Sequence, residues 1–276
     1  MSSATAVVSI PRLPASGRVT QARVVLSEWT KFVSLRSTRW SLGVGLLLTI
    51  AFPLIFAAVT ATHWAHMSAH DRADRHPLDI ALAGVNVGQL AIAVLGVLMI
   101  TGEYSTGMIR STLIAVPRRL PVLWAKLGLY AVVSLVLMLP AVLISFFASQ
   151  SILAGHHILQ ISFGAPGVAR SVIGGALYVV LVGVFALAIG SILRNTAGGI
   201  ATFAGIFFVI PPLMNVLPTS WNNAISKYLP SEAGRQLFSL HHGAHSLSPL
   251  WGGLLMLGYC VAAIAVAAVL LVRRDA

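Results

Sequence analysis

The chain has 276 residues, 57% of them hydrophobic and only 9% charged, with a formal net charge of +11. A soluble domain carries roughly 25% charged residues, so the composition excludes an ordinary soluble enzyme or nucleic-acid-binding domain and indicates an integral membrane protein. In such a chain the distribution of the positive charge matters more than its sum. Cys260 is the single cysteine and lies in an apolar run, which rules out a disulfide frame or a cysteine-based metal site.

Residues 1–18, rich in Ser, Ala and Pro, read as a disordered tail. From 19 to 40 the pattern is helical and amphipathic. Ala22, Val25, Leu26, Trp29, Phe32 and Val33 form one face; Arg23, Ser27, Thr30, Lys31 and Ser34 form the other. Glu28 is placed to pair with Lys31 three residues on, and Arg36 follows. A basic amphipathic helix leading into a span is expected to lie in the membrane interface. The first apolar run begins only near Ser41 and is of spanning length, whereas a signal peptide's apolar region has about 7–15 residues. It reads as a retained span.

Six apolar runs of spanning length follow within an all-α domain covering 41–276, near 41–62, 80–101, 120–151, 168–193, 198–216 and 250–272. The third contains Pro140, where a kink or tilt is expected, and Pro211 with Pro212 is expected to break the fifth. Six spans put both termini on one side. Thirteen lysines and arginines fall on that side and five on the other, a bias that predicts cytoplasmic N- and C-termini.

Residues 102–119, GEYSTGMIRSTLIAVPRR, connect the second and third spans. Helix hairpins usually close in about 2–8 residues, so this connection does more than reverse the chain. Ser105 or Thr106 can cap a short helix. Met108, Ile109, Leu113 and Val116 share one helical face, Arg110 and Ser111 point elsewhere, and Pro117 stops the helix before Arg118 and Arg119. The pattern fits a docking helix on the cytoplasmic side or a solvated loop whose arginines anchor the spans. Between the fifth and sixth spans, SWNNAISKYL and PSEAGRQLF read as two short helices, with Ser231 a candidate cap for the second. Such pieces can dip into the membrane as a lid over a cavity.

All nine histidines (His63, His66, His70, His76, His156, His157, His241, His242 and His245) fall in the segments assigned to the outer side. The spacing of His66 with His70, and of His242 with His245, allows two imidazoles on one helical face. A complete metal-ligand set is not specified, and solvated loop histidines are the plainer account, so no metal site is assigned. The spans are nearly free of ionisable groups. Lys126 and Arg170 lie near span ends, where both are expected to snorkel toward the headgroups, and Asp79 opens the second. No charge sits at mid-depth to couple transport to ions. Asn86, Ser134, Ser145, Thr202 and Asn215 offer neutral polarity, either to line a substrate path (Asn86, Ser134, Thr202 and Asn215 are the candidates) or to bond a neighbouring helix. Ala186 with Gly190, Ala201 with Gly205 and Ala263 with Ala267 permit close helix approach. The sequence has no GxSxG elbow, no HExxH and no P-loop, so no catalytic residue is assigned and any energy must enter through another chain.

With these pieces in order, the chain resembles the membrane subunit of a type-2 ABC transporter, a family of bacterial exporter permeases. The segment SEWTKFVSLRSTRW, residues 27–40, is similar to the family's E-x-x-K…R-S interfacial helix, with Glu28, Trp29, Lys31, Phe32 and Arg36 as its site residues. The segment 102–119 is similar to the one after the family's second span, with Glu103, Tyr104, Gly107, Arg110, Pro117 and Arg118 in the expected order. The closing RRDA is similar to many actinobacterial members. The resemblance implies a multi-pass protein of the bacterial cell membrane, a second permease copy or paralogue, and cytoplasmic ATPase subunits that hold ATP and magnesium. This chain would bind no cofactor, only membrane lipid and its protein partners, and no nucleic acid. The short helix becomes a coupling helix. Glu103 would support it at the membrane boundary, Met108, Ile109 and Leu113 would pack into the ATPase or against the bundle, and Arg110 would make polar contacts. The cargo implied is amphiphilic or lipophilic. An unpartnered channel or facilitator, and a metal-responsive sensor acting through the outer histidines, are the other readings.

Overall fold

A computed structural model describes residues 20–116, 118–158, 160–240, 243 and 246–274, and among these it contains helices and no strand. The tail at 1–18, Pro117, His241, His242, His245 and the end of the RRDA motif lie outside the described residues. Six helices are long and apolar enough to cross a membrane, so the chain has a multi-pass, all-helical architecture.

Helix α1 covers Gln21–Ser34, and an extended Leu35 separates it from α2, Arg36–His63, the first span. A short helical turn and α3, Ala69–Ala73, lead to α4, Pro77–Ser105, the second span. Helix α5 is Met108–Ala115, and α6, Leu120–Gly155, is the third span. Its 36 residues make a rod of about 54 Å against a hydrocarbon core of about 30 Å, so it projects well past the apolar slab. Helix α7, Val168–Leu193, is the fourth span.

The fifth span is assembled from α8, Thr196–Ala204, a π-helical stretch at Gly205–Val209, and α9, Ile210–Met214. The break expected at Pro211 and Pro212 does not occur, and the helical run continues from Thr196 to Met214. The two prolines lack the N–H groups that would bond one turn back, and the chain widens ahead of them, Ile210 donating to the Gly205 carbonyl five residues earlier. Helices α10, Thr219–Ile225, and α11, Pro230–Arg235, precede α12, Pro249–Arg273, the sixth span. Ser231 does not cap α11: the capping position is Leu229, and the Ser231 hydroxyl sits inside the first turn without a partner.

Helices α4 and α7 form the centre of the bundle. Buried positions make up 56% and 72% of their most apolar windows, against 17–33% in the other spans, whose apolar sides face outward. Of the small-residue pairs, Ala186 with Gly190 and Ala263 with Ala267 are in the bundle interior, while Ala201 faces out. Neutral polar groups within the spans are used for helix-to-helix bonds. Tyr130 donates to the Ile92 carbonyl at 2.6 Å, Ser145 to the Ala81 carbonyl at 2.8 Å and Thr196 to Thr101 at 2.8 Å.

Gly96 lets α4 approach α7 closely, and a Cβ there would strike the Gly183 carbonyl oxygen. Gly96→Val is expected to destabilise the bundle by about 1–3 kcal/mol through overpacking. Gly128→Ala, whose Cβ meets nothing within 4 Å, should be neutral. Thermal unfolding of the two variants in detergent, followed by loss of the monodisperse peak, checks this pair.

Candidate functional site

At the end of the bundle that carries α1, four charged side chains close on one another. The Lys126 ammonium contacts both Glu28, in a very short bond, and Glu103 at 2.8 Å. Lys31 reaches Glu28 at 2.7 Å, Glu103 at 2.9 Å and the Thr112 hydroxyl at 3.1 Å. Two cations and two anions therefore join α1, the last turn of α4, α5 and the start of α6. Glu28 and Lys126 are 1% and 2% exposed. Isolated, each charge would cost several kcal/mol to bury; as a neutral quartet each ion has two partners of opposite sign.

Local sequence explains the placement. Val24, Glu28 and Phe32 recur every fourth residue and form the face that α1 buries. Val24 packs with Val116, Val122 and Ala125, and Gln21 donates to the Pro121 carbonyl at 3.0 Å. The wider apolar face read from the sequence points away from the bundle, with Val25, Leu26, Trp29 and Val33 all exposed. The Glu28–Lys31 pair forms, yet it faces inward, where Lys126 and Glu103 complete it. Arg36 belongs to the first turn of α2 and is exposed. For Lys31, burial opposes the charged form. The carboxylates of Glu28 and Glu103 outweigh that and hold its pKa above the ordinary lysine value.

Gly107 turns the chain between α4 and α5 with φ at +71°, a left-handed conformation that suits glycine. On α5, Ile109 is buried and Met108 and Leu113 are half-buried. Arg110, Ser111 and Ile114 face out, Ile114 at 81% exposure. Arg118, just beyond α5, is exposed as well. The half-buried Tyr104 ring lies under the Arg194 guanidinium at 5.0 Å. Arg194 also donates to the Leu270 carbonyl, and Arg119 to the Leu271 and Arg274 carbonyls, so two arginines from separate connections cap the end of α12.

Thr112, Lys126, Arg119 and Arg194 were not singled out for this site from sequence. Lys126 does not snorkel: its ammonium turns inward because Glu28 and Glu103 lie within reach. Arg170, near the opposite end, is spent on the Gln236, Leu237 and Ser239 carbonyls. The four substrate-path candidates are not gathered in one place. Asn86 lines a cavity beside α11, Asn215 lines a neighbouring one, Ser134 is fully buried and Thr202 faces out. Among the described residues, no three metal-ligating side chains converge. His70 and Asp74 pair at 3.6 Å on the surface.

No family model matches the chain, and no curated protein matches it.

Lys126→Met leaves two carboxylates facing one ammonium and is expected to cost about 3–5 kcal/mol. The double variant Lys126→Met/Glu28→Gln restores neutrality and should be less damaging than the sum of the two single variants. Unfolding midpoints of all three variants test the coupling. The raised pKa of Lys31 sets a pH window for α1. Its contribution is fully present below the ordinary lysine pKa of about 10.4 and is lost as pH rises through the raised value. Spin labels on the exposed Ser34 and Ser111 should therefore keep a fixed separation from neutrality to about pH 10 and spread only above it.

Proposed function

We propose that this chain is the membrane subunit of an ATP-binding-cassette exporter of the type-2 class. It works as a dimer with a second copy or paralogue in the bacterial cell membrane, with both termini and α5 in the cytoplasm. The observation that carries this reading is the buried quartet. It fastens a short, outward-facing helix to the ends of two spans and to an amphipathic surface helix. A solvated loop that merely anchored its neighbours would need no such joint.

On this reading α5 is the coupling helix. Its exposed Arg110, Ser111 and Ile114 meet a cytoplasmic ATPase that binds ATP and magnesium, while Ile109 and Thr112 hold its other side to the bundle. Movement of the ATPase pushes α5, and the push enters α4 through Glu103 and α6 through Lys126. Helix α1 moves with them because Glu28 and Lys31 belong to the same joint. Its exposed Leu26, Trp29 and Val33 suit the inner membrane interface. The Lys/Arg bias between the two ends supports the orientation. The cargo is amphiphilic or lipophilic, since the spans carry neutral polarity and apolar surface.

Two variants test the reading from opposite sides of α5. Ile114→Asp should abolish capture of the ATPase on the tagged permease while leaving membrane insertion intact. Glu103→Ala should retain insertion and abolish ATP-driven transport by the assembled complex. Normal transport by Glu103→Ala would sink the assignment. A protein that purifies alone and conducts in liposomes would replace it with a channel.

A further inference from the structure

At the opposite end of the bundle, a cavity of about 310 Å³ opens between α4, α7, the fifth span and α11. One face of α4 supplies Asp79, Asn86 and Gln89, at spacings of seven and three residues that keep them on a single side of the helix. Arg235 closes the cavity from α11. Asp79 and Arg235 line the same space, yet no ion pair joins them. No hydrogen bond or ion pair from a described residue reaches the Asp79 carboxylate. Among the described residues Arg235 has one ionic contact, to Glu232 at 3.5 Å, and its side chain is 51% exposed, so most of its five donors are open to solvent.

The wall between these charges is aromatic, made by Phe207, Phe208 and Phe238. The inner surface is polar and fixed: Tyr178 donates to Gln89 at 2.7 Å, and Gln89 donates to the Asn86 carbonyl at 3.0 Å. Ser231, which also lines the cavity, is 3% exposed and its hydroxyl has no partner. A buried hydroxyl left unpaired is destabilising, and a ligand acceptor in the cavity would relieve it. Opposite charges that face one space without meeting, an aromatic wall and an unmatched hydroxyl together describe a dipolar ligand with an apolar part.

We propose that this cavity binds an amphiphilic zwitterion. Its anionic group takes the free donors of Arg235, its ammonium sits on Asp79, and its apolar part lies against the phenylalanines. An aminophospholipid headgroup and a soluble aminophosphate share this chemistry. Occupancy is a property of this chain alone and does not depend on an ATPase partner.

The test uses the purified full chain in detergent, titrated calorimetrically with dihexanoyl phosphatidylethanolamine, dihexanoyl phosphatidate and dihexanoyl glycerol. The ethanolamine lipid should bind about tenfold more tightly than the phosphatidate, which lacks the ammonium, and the uncharged glyceride should bind least. Asp79→Asn should weaken the ethanolamine lipid about tenfold and leave the phosphatidate unchanged, which also shows that the variant is folded. Arg235→Gln should weaken both charged lipids. Free phosphoethanolamine separates the two sources: competition at equal concentration identifies a soluble zwitterion, and its failure to compete identifies a lipid. Equal binding of all three lipids, or an Asp79→Asn variant that binds the ethanolamine lipid normally, overturns the proposal. Either result leaves the coupling role of α5 standing, because that role is read from ATPase capture.

Discussion

Two carboxylates and two ammonium groups held out of water at one end of the bundle fix the relative positions of four helices. The constraint is electrostatic before it is geometric. Removing any one member leaves an excess charge in a place that water reaches poorly, so the members stay together or the end of the bundle opens. Glu28 and Lys31 come from α1, Glu103 from α4 and Lys126 from α6, and Thr112 brings α5 into the same joint. Helix α5 has eight residues, too few to persist alone in water. It exists because Ile109 packs beneath it and Lys31 holds Thr112.

The spans were legible from hydropathy because lipid demands about 20 apolar residues and satisfied backbone groups, whatever the tertiary packing. The ends were less legible, since helices such as α6 run on past the apolar slab at no penalty that composition records. The direction α1 faces could not be read from its moment. A helix leading into a span can turn its apolar side to the bundle or away from it, and the broad apolar side of α1 faces out while a narrow stripe with Glu28 at its centre meets the bundle. Prolines at 211 and 212 mark the fifth span correctly as irregular. Whether the chain breaks or widens there depends on neighbours that a sequence does not display.

The quartet did leave a signal. The chain has seven acidic residues, and on the side carrying the N-terminus the sequence offers only Glu28, Glu103 and Asp275 among thirteen basic residues. An acid is scarce there, and a lysine six residues inside an apolar run needs one. Pairing Lys126 with the nearest acids by helical position points to Glu103 at the end of the preceding span. The snorkelling alternative prevails only when no counter-charge is within reach. Ser231 shows the converse. Its position before a short helix suggested a cap, but Pro230 already begins that helix, so the hydroxyl fell inside the turn and faced a cavity.

The two ends of α4 use charge in opposite ways. At one end Glu103 is joined to Lys31 and Lys126; at the other Asp79 faces Arg235 without meeting it. Joined charges resist displacement, and unjoined charges are free to take a ligand. The whole of α4 is 29 residues long, and it is pressed against α7 at Gly96 and against α2 at Gly84, where a Cβ would strike the Thr49 carbonyl. Contacts that close leave little room for bending, so on the proposed coupling role a displacement imposed on Glu103 would be carried along the helix toward Asp79, Asn86 and Gln89. Arg235 stands on a separate short helix, tied to the bundle by the buried Ser231, Ala233 and Gly234. A shift of α4 relative to α11 therefore changes the distance between Asp79 and Arg235. Through that distance the joint at α5 would alter the cavity's hold on a dipolar ligand without any charged residue in the middle of the membrane.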